Sequence, residues 1–168
     1  MAELRGVFVE LGVRNVETFI ASGNVIFESD AADIRALENE IENCLLGALG
    51  YVVKVFVRSE KELAAVARYE PFKGARLASA SALNVAFVSE PPVPAVQKLI
   101  VALRTEIDDF QVNGREVYWL CQTRQSDSKF NNTRFEKLLK ARATWRGMNT
   151  IKRLAAKYLP SQVLIPGN

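Results

Sequence analysis

Lys129, Arg134 and Arg146 are the side chains whose type and spacing best suit chemistry, and the chemistry is the holding of an anion. Arg134, Lys137 and Lys140 fall on one face of a predicted helix, opposite Phe135, Leu138 and Leu139. Lys129 precedes that helix, and Arg146 precedes the next, predicted over Thr150 to Tyr158 with Asn149 expected to cap its first amides. A helix start carries free N–H groups and partial positive charge. An oxyanion therefore fits between the two starts, with Lys129, Arg134, Arg146, Asn149 and Thr150 as its candidate ligands. Between Cys121 and Tyr158 there are ten Lys or Arg against two acids, a net of +8 in a chain of net +3, so the remainder sums to −5. A solvated basic face, or one that pairs with the acidic remainder, is the plainer account of the same charges.

Several chemistries are excluded. The chain of 168 residues has no histidine, which removes Ser-His-Asp and Cys-His catalysis and any His-ligated metal. Two cysteines cannot build a four-thiolate site; Cys44 and Cys121 sit among apolar neighbours and read as buried reduced thiols in a cytoplasmic protein. Ser126-Asp127-Ser128-Lys129 has the spacing of a serine acyl-enzyme motif but lacks its K-T-G partner. Asp108 and Asp109 are adjacent, so on a strand they face opposite ways and make no carboxylate dyad; they read as turn acids before a strand. Tyr118 and Trp119 likewise alternate, too few aromatics for an RNA-binding sheet face. No metal or cofactor is implied. Two functions from different classes remain. One is a binding module for an anionic ligand, either a phosphorylated small molecule or nucleic acid. The other is a small enzyme with a cleft between two halves, using Lys129, Arg146 and Tyr118.

These residues need elements to position them. Leu4, Val7, Phe8 and Leu11 predict an opening amphipathic helix stopped by Gly12. Val16–Ile20 and Val25–Glu28 predict strands around an Ala21-Ser22-Gly23-Asn24 turn. Asp33 opens a second helix that ends near Gly47 to Gly50. Tyr51–Val57 is β-rich and predicts a strand, and Ser59 is a good cap for a helix through Ala67. Residues 71–82, rich in Gly, Ala and Ser, read as a linker between a half over 1–70 and a half over 83–168. The second half predicts strand Leu83–Val88, helix Val93–Arg104, and strands Phe110–Val112 and Glu116–Leu120 joined at Asn113-Gly114. A helix over Asn132–Ala141, a strand over Ala143–Arg146 and a last helix follow. The order is β-α-β-β-α-β plus one helix, the split-βαβ pattern. The fold class is α+β: two ferredoxin-like (α-β plait) halves, the first without its opening strand, with an extra C-terminal helix.

Thr18-Phe19-Ile20-Ala21-Ser22-Gly23-Asn24-Val25-Ile26-Phe27, Pro71-Phe72, Asn84-Val85-Ala86-Phe87, Gly114-Arg115-Glu116-Val117-Tyr118, Ser128-Lys129-Phe130 and Thr144-x-Arg146-x-x-Asn149-Thr150 resemble domain-of-unknown-function family 1697, a group of uncharacterised bacterial proteins. The resemblance implies two ferredoxin-like halves and carries no established activity. It also implies a start about twenty residues upstream, with a strand and a glycine-rich loop, so that Met1 matches an internal methionine. Trp145 and Met148 stand where members usually have Thr and Trp. Without an opening strand, Val25–Glu28 and Tyr51–Val57 face a gap in a 4-1-3-2 sheet. Three repairs are open: Tyr51–Val57 pairs directly with Val25–Glu28, the C-terminal Gln162-Val163-Leu164-Ile165 fills the gap, or a second copy lends a strand and makes a homodimer.

Overall fold

The computed structural model describes residues 2–20 and 23–159. The chain is α+β, with seven α-helices and two antiparallel sheets among the described residues. It divides into two compact units, Met1–Val57 and Arg58–Asn168.

In the first unit, α1 (Ala2–Glu10) is followed by strands β1 (Arg14–Phe19) and β2 (Asn24–Glu28) and then by α2 (Ile34–Leu49). β1 and β2 form an antiparallel hairpin with an irregularity between Arg14 and Glu17. Gly23 enters β2 at φ 74°, a conformation glycine adopts without strain, and the Asn24 amide donates to Phe19 O at 3.2 Å. Ala21 and Ser22 of the expected turn lie outside the described residues. Asp33 caps α2 by accepting from the Arg35 and Ala36 N–H groups, and Gly50 closes it in the left-handed conformation. The apolar stripes of α1 and α2 meet β1 in a core of Val7, Phe8, Val16, Leu37, Ile41 and Leu45.

Tyr51–Val57 departs from expectation, because among the described residues it joins no sheet, and β2 pairs with β1 alone. The alternate residues Val53, Val55 and Val57 still pack on the core. The main chain is satisfied differently. The Val57 N–H donates to Glu38 Oε1 at 2.7 Å and the Val55 N–H to Glu42 Oε1 at 3.0 Å, both on α2. Lys54 adds an ion pair to Glu42 at 2.7 Å. Glu38 is wholly buried and also pairs with Arg35 at 3.1 Å. The Gln162–Ile165 repair lies outside the described residues.

The second unit starts with α3 (Glu60–Arg68), which Ser59 and Glu62 hold in a reciprocal capping box. The sequence reading places this helix in the first half, whereas its packing against the last helix puts it here. The stretch read as a linker contains a short helix, α4 (Gly74–Ala78). Then come β3 (Ala82–Phe87), α5 (Pro94–Val101), β4 (Asp108–Asn113), β5 (Glu116–Cys121), α6 (Asn132–Leu139), β6 (Thr144–Gly147) and α7 (Met148–Tyr158). The hairpin turn is Gly114 and Arg115, one residue later than the Asn-Gly signal places it, with Gly114 at φ 58°. The sheet order is β4-β5-β3-β6, all antiparallel, so the strand that opens the unit is central.

Register sorts the side chains onto two faces. Ala86, Phe110, Val117, Trp119, Cys121 and Trp145 share one face, where α5 and α6 bring Ile100 and Phe135. Val85, Tyr118, Leu120 and Arg146 share the other, against which α7 lies with α3 beside it. There Arg58 pairs with Glu116 at 2.7 Å, both largely buried, and stands over the Phe87 ring.

Candidate anion-binding site

Where β5 ends, near Cys121, the chain runs through a short 3-10 turn to Asn131, whose side chain accepts from the Arg134 N–H and caps α6. β6 also ends at this end of the sheet: Gly147 pairs with Asn84 of β3, two residues from the Ala82–Cys121 pair. The starts of α6 and α7 therefore lie at the same end of one sheet.

A cavity of about 200 Å³ opens at the start of α6. Phe110, Phe130, Phe135, Leu103 and Leu138 form its apolar wall, and Lys129, Asn131, Arg134, Thr105 and Asp108 its polar part. Lys129 and Arg134 are exposed, and neither has an ion-pair partner among the described residues. Asp108, by contrast, is buried and already occupied. Trp119 Nε1 donates to it at 2.7 Å, Thr105 Oγ1 lies 3.2 Å away, and the Ser128 hydroxyl stands 2.9 Å from both oxygens. Ser128 in turn accepts the Phe130 N–H at 2.9 Å, which sets the loop carrying Lys129. This carboxylate organises the loop while the two cations face solvent and cavity.

Around the opening the aromatics form one cluster. Trp119 and Phe130 have ring centroids 4.6 Å apart, and Trp145 meets both edge-on at 5.9 and 5.3 Å. Trp145 Nε1 also donates to Asn132 Oδ1 at 2.8 Å, tying β6 to the first residue of α6.

The other predicted ligands are placed as follows. Arg146 does not line this cavity; it faces the opposite side of the sheet, half-buried beside Val85. Its Nη1 donates to Thr144 Oγ1 at 2.7 Å and Trp145 O at 2.8 Å, and desolvation lowers its pKa. Asn149 and Thr150 sit in the first turn of α7, because that helix starts at Met148. Asn149 is thus not the cap: the cap position is Gly147, and no side chain caps the helix. Arg134, Lys137 and Lys140 are exposed opposite buried Phe135, as the periodicity predicts, with Lys140 at the left-handed end of α6.

The burial of two polar groups, Asn84 and Tyr118, escaped the sequence reading. Asn84 is 7% exposed and its Nδ2 has no hydrogen-bond partner among the described residues. Tyr118 is wholly buried with its hydroxyl unpartnered among the described residues, and desolvation raises its pKa. Tyr118 faces away from Phe110 and Trp119, so it does not share the Lys129 cavity. For Asn84 the signal was present in the sequence: a lone amide inside the apolar run Leu83–Val88.

The profile of the family described as protein of unknown function (DUF1697) matches residues 1–118. The chain belongs to this family. The DUF1697 match covers Asn84, the first four strands and the first half of β5, while Lys129, Arg134 and α7 follow it. Among solved structures the chain is similar to a conserved bacterial protein from Streptococcus pneumoniae. That likeness has a TM-score of 0.64 at 20% identity over 92% of this chain and 86% of that one. It bears on the fold. No curated protein matches the chain. Among the described residues, no helix of this DUF1697 member is long and apolar enough to cross a membrane.

Proposed function

We propose that the protein is a binding module for a small anionic molecule, held in the cavity at the start of α6. The observation that carries this reading is that Lys129 and Arg134 line one cavity without acidic partners, while its single carboxylate, Asp108, is already occupied. The cavity's charged side chains sum to one net positive charge beside an apolar wall of three phenyl rings. A compound with an anionic group and an apolar or ring-bearing body matches both features. Nucleic acid fits less well, since the neighbouring aromatic rings pack on one another as a cluster. We read each unit as a ferredoxin-like half of a duplicated architecture, with the basic patch confined to the second. Free thiols at Cys44 and Cys121 suit a reducing, cytoplasmic setting.

A thermal-shift screen of phosphorylated and carboxylated metabolites tests the proposal, since a ligand that binds only the folded state raises the melting temperature. Replacing Lys129 and Arg134 together by Gln should leave the unliganded melting temperature nearly unchanged. It should weaken the best ligand by about 1.5–3 kcal/mol, the scale of one charge-assisted hydrogen bond. Undiminished binding by this variant would place the ligand elsewhere.

A further inference from the structure

We infer that the anionic group held in the α6 cavity is the carboxylate of an amino acid with an aromatic side chain, and that Asp108 receives its ammonium group. This rests on the reading above: Lys129 and Arg134 still hold the negative charge, and the cavity's own carboxylate gains a partner. Three carboxylates are buried among the described residues: Glu38, Asp108 and Asp109. Glu38 has Arg35 beside it, and Asp109 has Arg76 and Arg104 at 3.4 and 3.5 Å. Asp108, only 3% exposed, has no such cation among the described residues, although Lys129 and Arg134 line the same cavity. Charges taken out of water are ordinarily paired, so this one stands apart.

Asp108 is also placed to use the cavity. It lies opposite Cys121 and two residues from Phe110, so its side chain is on the sheet face that Phe110, Trp119 and Cys121 share under α6. Its side-chain partners are all neutral: the Trp119 indole on Oδ1, the Thr105 hydroxyl on Oδ2, and the Ser128 hydroxyl between the two oxygens. A carboxylate accepts about four hydrogen bonds, so three donors leave room for one more. Ser128 also accepts the Phe130 N–H, which fixes the loop carrying Lys129 against the carboxylate. The cavity thus holds unpaired charge of both signs along an apolar wall of three phenyl rings and two leucines. An α-amino acid carries an ammonium, a carboxylate and a side chain on one carbon and meets all three features at once. A phosphate monoester or a plain carboxylic acid leaves Asp108 without its cation. The cavity's volume of about 200 Å³ is below the roughly 300–1,000 Å³ typical of sites for drug-sized ligands and points to a molecule of one ring.

The test titrates the full chain, by calorimetry and melting temperature, with three probes. These are L-phenylalanine, 3-phenylpropionate, which lacks the ammonium, and phenethylamine, which lacks the carboxylate. L-Phenylalanine should bind about tenfold or more tighter than either of the others. It should also shift the Trp119 indole N–H resonance, which reports on the bond to Asp108, while 3-phenylpropionate leaves it in place. Asp108→Asn keeps an oxygen for Trp119 and removes the charge. It should bring L-phenylalanine down to the affinity of 3-phenylpropionate without weakening the latter, a pattern that a folding defect does not produce. Should that variant fail to fold, the three-probe comparison on the parent chain still decides. If 3-phenylpropionate binds the parent as tightly as L-phenylalanine, and both are lost in the Lys129→Gln, Arg134→Gln variant, the amino-acid assignment fails and the anion-binding cavity stands. If Asp108→Asn retains the preference for L-phenylalanine, the ammonium sits elsewhere and the role of Asp108 is wrong. No binding of any probe overturns the amino-acid assignment, whereas anion binding as such falls only if the metabolite screen is empty too.

Discussion

α2 and α6, one in each unit, are built alike and leave different residues over. Each opens on a short polar cap, Asp33 or Asn131, and each ends in a left-handed residue, Gly50 or Lys140. Each also carries a glutamate five residues past its cap that accepts an N–H from the segment that follows. Glu38 takes Val57 at 2.7 Å and Glu136 takes Ala143 at 2.9 Å. In the first unit the cations beside these carboxylates are paired: Arg35 with Glu38, and Lys54 with Glu42. In the second, Lys129 and Arg134 remain without acidic partners beside a cavity. Two helices capped alike therefore need not carry a like site. Function is sought where polar groups are left over once the fold has satisfied its own.

The largest expected effect probes the first unit. Glu38→Ala leaves the Val57 N–H and the Arg35 guanidinium without their buried acceptor, at a cost of about 2–3 kcal/mol in urea unfolding. Glu136→Ala, in a less buried position, should cost about 1 kcal/mol. Equal losses would break the comparison, for then the two carboxylates do the same work in both units. A smaller effect of opposite sign is expected in the second unit. Tyr118→Phe removes a buried hydroxyl that has no partner, and should stabilise by up to about 1 kcal/mol. The sign with pH follows from the raised pKa of Tyr118. The folded state holds the phenol neutral while the unfolded chain ionises near its ordinary value of about 10, so stability is full below that pH and falls as pH rises beyond it. The Phe variant should show a shallower alkaline loss; an identical slope would mean that Tyr118 does not contribute to it.

Much of this was legible because it is local. Asp33 and Ser59 are caps that need only the residues just ahead of them, and Gly50 and Gly114 act within their own turns. The β-α-β-β-α-β order of the second unit followed from periodicity in the same way. What failed depends on distant neighbours. Tyr51–Val57 has a strand's composition, yet a strand needs a partner, and α2 supplies carboxylates instead. Asp108 reads as a turn acid because its donors Trp119 and Ser128 come from other elements. For α7, the last helix begins at Met148 rather than Thr150, which moved the cap from Asn149 to a glycine that offers no side chain. Lys129 and Arg134 were named from charge and helical phase alone. That they share a cavity, and that Arg146 turns to the opposite face, depended on register.

Titration of the isotopically labelled full chain with inorganic phosphate, followed by backbone amide shifts, tests the central claim most directly. The account predicts saturable changes confined to the second unit, at Lys129, Arg134 and the residues beside them in the α6 cavity, that weaken as salt rises. Changes in α2 or the β1–β2 hairpin with none at Lys129 or Arg134 would contradict it.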